Sequence, residues 1–258
     1  AGSNGNIAGD LVAKSPPDGY TLLLGQDSLI AINPHLYSRM PLDTLKDLLP
    51  VSSVASNQFF LSVNPSVPAN NMKEFVAWAK AQPKGSVNYG TYSPGTISHF
   101  GGLLLANEIG VEMTPVHYKA SGDAVKDLVP GVVNFLWNGP AGAVGQLIKA
   151  GRLKAHAYMG PARLAAFPNV PTVRELGHPD IEADGWIGVF AAKGTSPELV
   201  RKLQADIAKA LASPDLKAMY GSFGFEPGGS SSADFAQLVK SDYVRWGAYV
   251  KKINYRAE

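Results

Sequence analysis

The chain has 258 residues, 45% of them hydrophobic, enough to bury a substantial core as one large domain or two small ones. A formal net charge of +2, with basic residues scattered singly, excludes the footprint of a nucleic-acid binder, and the lack of cysteine removes disulfides, thiolate metal sites and cysteine nucleophiles. No apolar run reaches the length of a membrane span, and 19 prolines with 27 glycines cut the chain into many short elements.

The first predicted element is a helix over residues 7–14, with Ile7, Leu11 and Val12 as its apolar stripe. The turn Ser15-Pro16-Pro17-Asp18-Gly19 leads into a strand over 20–25, apolar enough to be buried on both faces of a parallel sheet. A helix followed by a buried strand is the α/β pattern. Gln26-Asp27-Ser28 then falls at a strand's C-terminal end, where ligands of such sheets sit, which makes Ser28 a candidate contact. After an irregular stretch broken by Pro34 and Pro41, strands are expected over 51–54 and 59–63. Asn71 caps the next helix, in which Met72, Phe75, Val76 and Ala79 recur at helical spacing and Glu74 is placed to return a capping-box bond.

A short β-prone stretch, 86–89, runs into Gly90-Thr91-Tyr92-Ser93-Pro94-Gly95-Thr96-Ile97-Ser98-His99-Phe100-Gly101-Gly102, and a Leu- and Ala-rich helix continues to 109. The first amides of a helix lack intrahelical partners and carry the positive end of its dipole, so anions are attracted there. On one reading, Ser93, Gly95, Thr96, Ser98 and His99 form a carboxylate or phosphate site, and Gly95, Gly101 and Gly102 allow close approach to the backbone. On the other, the hydroxyls cap their own helix. Both readings stand at this point.

A strand over 114–118 follows, then a second Gly/Ser turn at 119–123 that contains Ala120, and a short helix to 128. An apolar strand over 132–137 ends at Asn138-Gly139-Pro140, a third strand-end loop, and the three loops are expected to converge on one crevice. The later elements are a helix over 144–150, a strand over 153–159, a loop with a short helix over 167–177, and a long apolar strand over 185–191 that contains Trp186. Ser196-Pro197 and Ser213-Pro214 open two further helices, and a last helix from 232 carries Phe235, Leu238, Val239, Trp246 and Val250 on one side. Ser93 does not sit in a nucleophile elbow, because Thr91 stands where glycine is required, and no P-loop or dinucleotide fingerprint occurs. His35, His117, His156 and His178 show no metal-ligand spacing. No catalytic residue, metal or cofactor is assigned.

Several blocks, in order, carry a resemblance. Gly5-Asn6-Ile7-Ala8 through Lys14 leads to Pro17-Asp18-Gly19-Tyr20-Thr21-Leu22-Leu23, and Ala31-Ile32-Asn33-Pro34 to Leu36-Tyr37. Ser93, Gly95, Thr96, Ser98 and His99 come next, then Tyr118-Lys119, then Asn169-Val170-Pro171-Thr172 with Glu175 and Gly177. Together they resemble the Bug-type periplasmic solute-binding proteins, the receptors of tripartite tricarboxylate transporters. The resemblance implies a type II periplasmic binding protein-like fold of two α/β domains with a ligand cleft between them, domain 1 from residues 1–94 and 186–258 and domain 2 from 95–185. It implies a non-enzymatic receptor, monomeric and periplasmic, that captures a small di-, tri- or aromatic carboxylate and delivers it to integral membrane transporter subunits. Presentation of the ligand to a membrane sensor kinase is the alternative, and a hydrolase using Ser93 a further one.

In the family two strand-to-helix loops hold a ligand carboxylate like pincers. Residues 93–99 match one arm, and Ser28, Ala120, Asn138 and Trp186 are expected around the ligand. The other arm, with a first strand and a secretory signal, is expected upstream of residue 1. The chain departs from the family pattern at Leu103, where Glu is common, at Ala120, where Gly is, and at Asn138, where Asp is frequent. A neutral Asn138 favours plain carboxylic acids over amino acids. Trp186 is read either as core or as a wall beside the ligand, and His99 either as a carboxylate contact or as a helix cap.

Overall fold

The computed structural model describes residues 3–57, 59–140, 143–183, 185–223 and 225–256. The chain forms two compact units, Ala1–Asn57 with Gly185–Glu258, and Gln58–Asp184. In chain order, the first contains α1 (Asn6–Ala13), β1 (Leu22–Gln26), a π-helical segment Ser28–Ile32, α2 (Asn33–Leu36) and β2 (Leu48–Asn57). The second contains β3 (Phe60–Val63), α3 (Met72–Lys80), β4 (Val87–Thr91), α4 (Ile97–Ile109), β5 (Met113–His117), α5 (Ser121–Leu128), β6 (Phe135–Asn138), α6 (Ala143–Lys149) and β7 (Lys154–Tyr158). The chain then returns to the first with β8 (Gly185–Ala192), α7 (Pro197–Leu211), α8 (Pro214–Phe223), β9 (Glu226–Pro227) and α9 (Ser232–Ile253).

The first crossing falls between residues 57 and 58 and not after 94. The reason is strand pairing: β3 is bonded to β6 and β7, and β4 to β5 and β6, which ties residues 58–94 to the second unit. The return at 184–185 lies one residue from the expected boundary.

In unit 1 the sheet order is β1-β8-β2-β9, and its pairs are antiparallel. This corrects the parallel, doubly buried strand expected at 20–25. An edge strand with one covered face alternates, and Leu23 is buried while Leu24 is 65% exposed. The helix expected at 7–14 is present, but of its expected apolar stripe only Val12 is buried: Ile7 and Leu11 are exposed, and Asn6 and Gly9 take the inner face with Val12. Polar pairing and a close approach outweigh the hydrophobic pattern here. Asn33 donates its side-chain amide to Asn6 Oδ1 at 2.7 Å, and Gly9 lies against Leu29 and Leu42. Sheet and α9 share a core of Trp186, Phe190 and Phe235, with Trp246 and Val250 buried further along the helix and Leu238 partly exposed.

In unit 2 the order is β5-β4-β6-β3-β7, with β4 parallel to β5 and β6, and β3 antiparallel to β6 and β7. One face carries Tyr89 and Phe135, stacked at 5.2 Å, and receives Phe75 of α3 and the Gly101-Gly102 step of α4. A Cβ on Gly102 would lie 2.1 Å from the Tyr89 ring. These two glycines therefore serve helix-on-sheet packing, not the ligand approach expected of them. The other face is covered by α5 and α6, whose Ala124, Leu128, Leu147 and Ile148 pack on Val133, Leu136 and Leu153. Residues 167–177 form turns without the expected short helix, and a single 3-10 turn follows at Pro179–Ile181.

Candidate functional site

Strands β4, β5 and β6 run parallel, so their C-terminal ends at Thr91, His117 and Asn138 share one edge of the unit 2 sheet. From β4 the chain passes to α4 on one face, whereas β5 and β6 feed α5 and α6 on the other. The strand end beside β4, where the loops part to opposite faces, is the place where open α/β sheets bind ligands.

The loop after β4 is shaped by its own side chains. Thr96 Oγ1 donates to the Ser93 carbonyl at 2.8 Å and lies 3.0 Å from Ser98 Oγ, which accepts the Tyr92 N–H at 3.1 Å. Gly95 turns the chain at φ +80°, where a side chain would be strained, and its N–H donates to His99 Nδ1 at 3.2 Å. The hydroxyls thus hold the loop together without capping the helix: Thr96 stands at the N-cap of α4 and makes no side-chain cap bond. At the N-cap of α5 stands Ala120, which has no side chain able to make one. Two helix starts without side-chain caps on neighbouring strands give this edge donors and partial positive charge.

His99 is fully buried, and burial, with the His117 ring 5.1 Å away, pushes its pKa down to about 3. The ring is neutral at physiological pH. Since Nδ1 accepts from Gly95, the proton resides on Nε2. His99 is therefore a brace for the Gly95 turn, and such a weak base is a poor proton acceptor for Ser93. Asn138 lies two residues beyond the last β4–β6 pair, Gly90 with Leu136, and so level with Tyr92. Its Oδ1 accepts the Ser62 hydroxyl at 2.5 Å, and its Nδ2 is buried without a partner among the described residues.

Ser93, Gly95, Thr96, Ser98, His99, Ala120 and Asn138 are thereby gathered on unit 2, whereas Ser28 and Trp186 belong to unit 1. There they flank Asp27. The Ser28 N–H donates to Asp27 Oδ1, the Trp186 backbone also bonds the carboxylate, and the Trp186 indole donates to Asp242 Oδ2 at 2.6 Å. Trp186 is 3% exposed and packs edge-on against Phe235, as the core reading expects. Burial raises Asp27 to about 7, with Asp242 adding to the rise and Arg245 opposing it. Sequence reading did not single out Asp27 or Ser62. For Asp27 the signal was available, in its place directly after a strand and before Ser28. Ser62 gives none, as a small polar residue in an apolar strand becomes legible only once Asn138 is placed diagonally across on β6. Among the described residues, no cluster of three or more His, Asp or Glu is arranged to hold a metal ion, and no helix is long and apolar enough to cross a membrane.

Two α/β units on one chain, the second inserted in the first, are the architecture of the type II periplasmic binding fold. Comparison with known proteins narrows this. The model of the tripartite tricarboxylate transporter family receptor matches residues 1–255. Protein BugT of Bordetella pertussis is 34% identical over 254 residues, 98% of this chain and 77% of that protein. Among solved structures, R. palustris Rpa4515 with adipate superposes with a TM-score of 0.87 at 32% identity, covering 98% of this chain and 84% of that one. MatC of Rhodopseudomonas palustris with bound malate gives 0.85 at 28% identity, covering 96% and 85%. The chain belongs to the tripartite tricarboxylate transporter receptor family, and is thus a carboxylate-binding receptor of a periplasmic family that works with membrane transporter components.

Proposed function

We propose that the protein captures a small carboxylic acid at the C-terminal edge of β4, β5 and β6, with one carboxylate across the start of α4, and delivers it as a periplasmic monomer to integral membrane transporter subunits. The observation that carries this is the pair of neighbouring helix starts without side-chain caps, one of them behind a turn braced by the bond from the Gly95 N–H to His99. The two solved neighbours that hold adipate and malate support a dicarboxylate over a tricarboxylate or an aromatic acid.

Calorimetry with a panel of mono-, di-, tri- and aromatic carboxylic acids tests the reading. At least one should bind, and Thr96→Ala with Ser98→Ala, which removes the bonds that shape the loop, should weaken it about tenfold, roughly 1.4 kcal/mol, with a stability loss of about 1–3 kcal/mol from the unpaired Tyr92 N–H. An unaltered affinity in the double variant would remove the loop from the site.

A further inference from the structure

Unit 1 has a cleft of its own, of about 290 Å³, where the end of α9 meets α2. Clefts that hold small molecules begin at about 300 Å³. Gly247 of α9 lets the two helices come together there, since a Cβ on it would lie 2.7 Å from the His35 ring. At the C-cap, Asn254 adopts the left-handed conformation at φ +50°, and beyond it Tyr255 and Arg256 line the same cleft as Lys251. His35, neutral because burial lowers its pKa, also lines it and donates Nε2–H to the Tyr243 carbonyl at 2.8 Å. The charge of the surroundings is one-sided. Residues 33–42 and 243–257 include Arg39, Arg245, Lys251, Lys252 and Arg256 and contain no Asp or Glu. Arg245 is engaged by Asp242 at 2.9 Å, whereas Lys251 and Arg256 have no carboxylate partner among the described residues. Cations near a helix C-terminus are stabilising in themselves, which accounts for Lys251 and Lys252. It does not account for Arg256, which lies beyond the helix. Two like charges brought to one cleft repel each other, and an anion between them replaces that repulsion by attraction.

We propose that this cleft is a second binding site of the protein, for a phosphate group: the Arg256 guanidinium and the Lys251 ammonium hold its charged oxygens, and the Asn254 amide supplies an uncharged donor. The site belongs to unit 1 and does not depend on the carboxylate reading of unit 2. A guanidinium fork takes two oxygens of a phosphate side by side, and an ammonium takes a third as a point charge. A phosphate monoester, at about −1.5 to −2 near neutral pH, matches two cations where a single carboxylate at −1 does not. The same chemistry is offered by a soluble phosphate and by the headgroup of an anionic lipid, and the two sources part in the experiment.

Calorimetry on the full chain, in a phosphate-free buffer of low ionic strength, tests this with inorganic phosphate and glycerol 3-phosphate. Saturable binding at one site should appear and weaken with added salt. Lys251→Gln with Arg256→Gln should weaken it about tenfold or more, the usual effect of losing hydrogen bonds from charged groups. Arg256→Gln alone, outside any helix, serves if the double variant folds poorly. The carboxylic acid bound best by the wild type should bind the double variant as before, and should not displace phosphate. Co-sedimentation with vesicles of phosphatidylcholine, with and without phosphatidylglycerol, separates the sources. Heat from the soluble phosphates assigns the cleft to a solute. Retention by the phosphatidylglycerol vesicles alone, lost in the double variant and without heat from the soluble phosphates, assigns it to a lipid headgroup. Unaltered binding in the double variant, one-for-one displacement of phosphate by the carboxylic acid, or no binding in either assay overturns the proposal, and each of these leaves the carboxylate reading standing.

Discussion

His99 and Asp27 are both buried titratable groups, and their environments send them in opposite functional directions. Burial keeps His99 neutral with a pKa of about 3, so no charge of this ring enters binding between pH 5 and 8, and ligand affinity should show no step near 6.5 across that range. A binding profile with a midpoint there would return the imidazolium to the site. His99→Phe leaves the Gly95 N–H without its acceptor, and a stability loss of about 1–3 kcal/mol is expected, with a parallel loss of affinity as the turn relaxes. Asp27 is raised to about 7 from its ordinary 3.8. A carboxyl whose folded value lies above its unfolded value is neutral in both states at low pH. It subtracts stability progressively as pH rises from about 4 to 7, and the loss is complete above that, on the order of 4 kcal/mol at most. Asn at this position still accepts the Ser28 and Trp186 amides, so Asp27→Asn should gain stability over the wild type as pH goes from 5 to 8. Urea midpoints that differ by a constant amount across this range would contradict that account.

At the scale of elements, α4 lies close to the sheet because two of its residues have no side chain. Gly102→Ala would put a methyl into the Tyr89 ring, and overpacking of this kind typically costs about 1–3 kcal/mol, read as a melting temperature several degrees lower. Gly122, inside α5, faces open space, so Gly122→Ala should instead stabilise by roughly 0.5–1 kcal/mol. Equal effects of the two would show that α4 has room to retreat. The contrast also marks what could be read from sequence. Helices with capping signals were legible: Asn71 accepts the Glu74 N–H at 2.9 Å, and Ser196 caps α7. The strands feeding α4, α5 and α6 were legible too, because strand, loop and helix are local in the chain, and with them came residues 93–99 and Asn138. Three features were not legible. The antiparallel edge role of β1 depends on β8, far along the chain. The inward face of α1 depends on Asn33. The roles of Gly101 and Gly102 depend on Tyr89 and Trp137, and a glycine beside a polar loop reads equally well as a ligand approach or a packing contact.

At the scale of the whole molecule, unit 2 is one uninterrupted stretch, and β3 to β7 find their described partners within it. Residues 58–184 expressed alone should therefore unfold in a single cooperative transition with near-native circular dichroism. A broad melt with exposed apolar surface would show that the stretch needs the rest of the chain. Unit 1 has no such autonomy, because β8 stands between β1 and β2 and residue 48 pairs with residue 192. On emergence from a ribosome or an export channel, β1 and β2 would wait for a strand that arrives after all of unit 2. Forming so non-local a pairing is intrinsically slow, and meanwhile a β1 segment bearing Leu22, Leu23 and Leu24 is open to unwanted association. The order of appearance thus makes early assembly of the inserted unit, which brings residues 57 and 185 side by side, the event that gates maturation of the receptor.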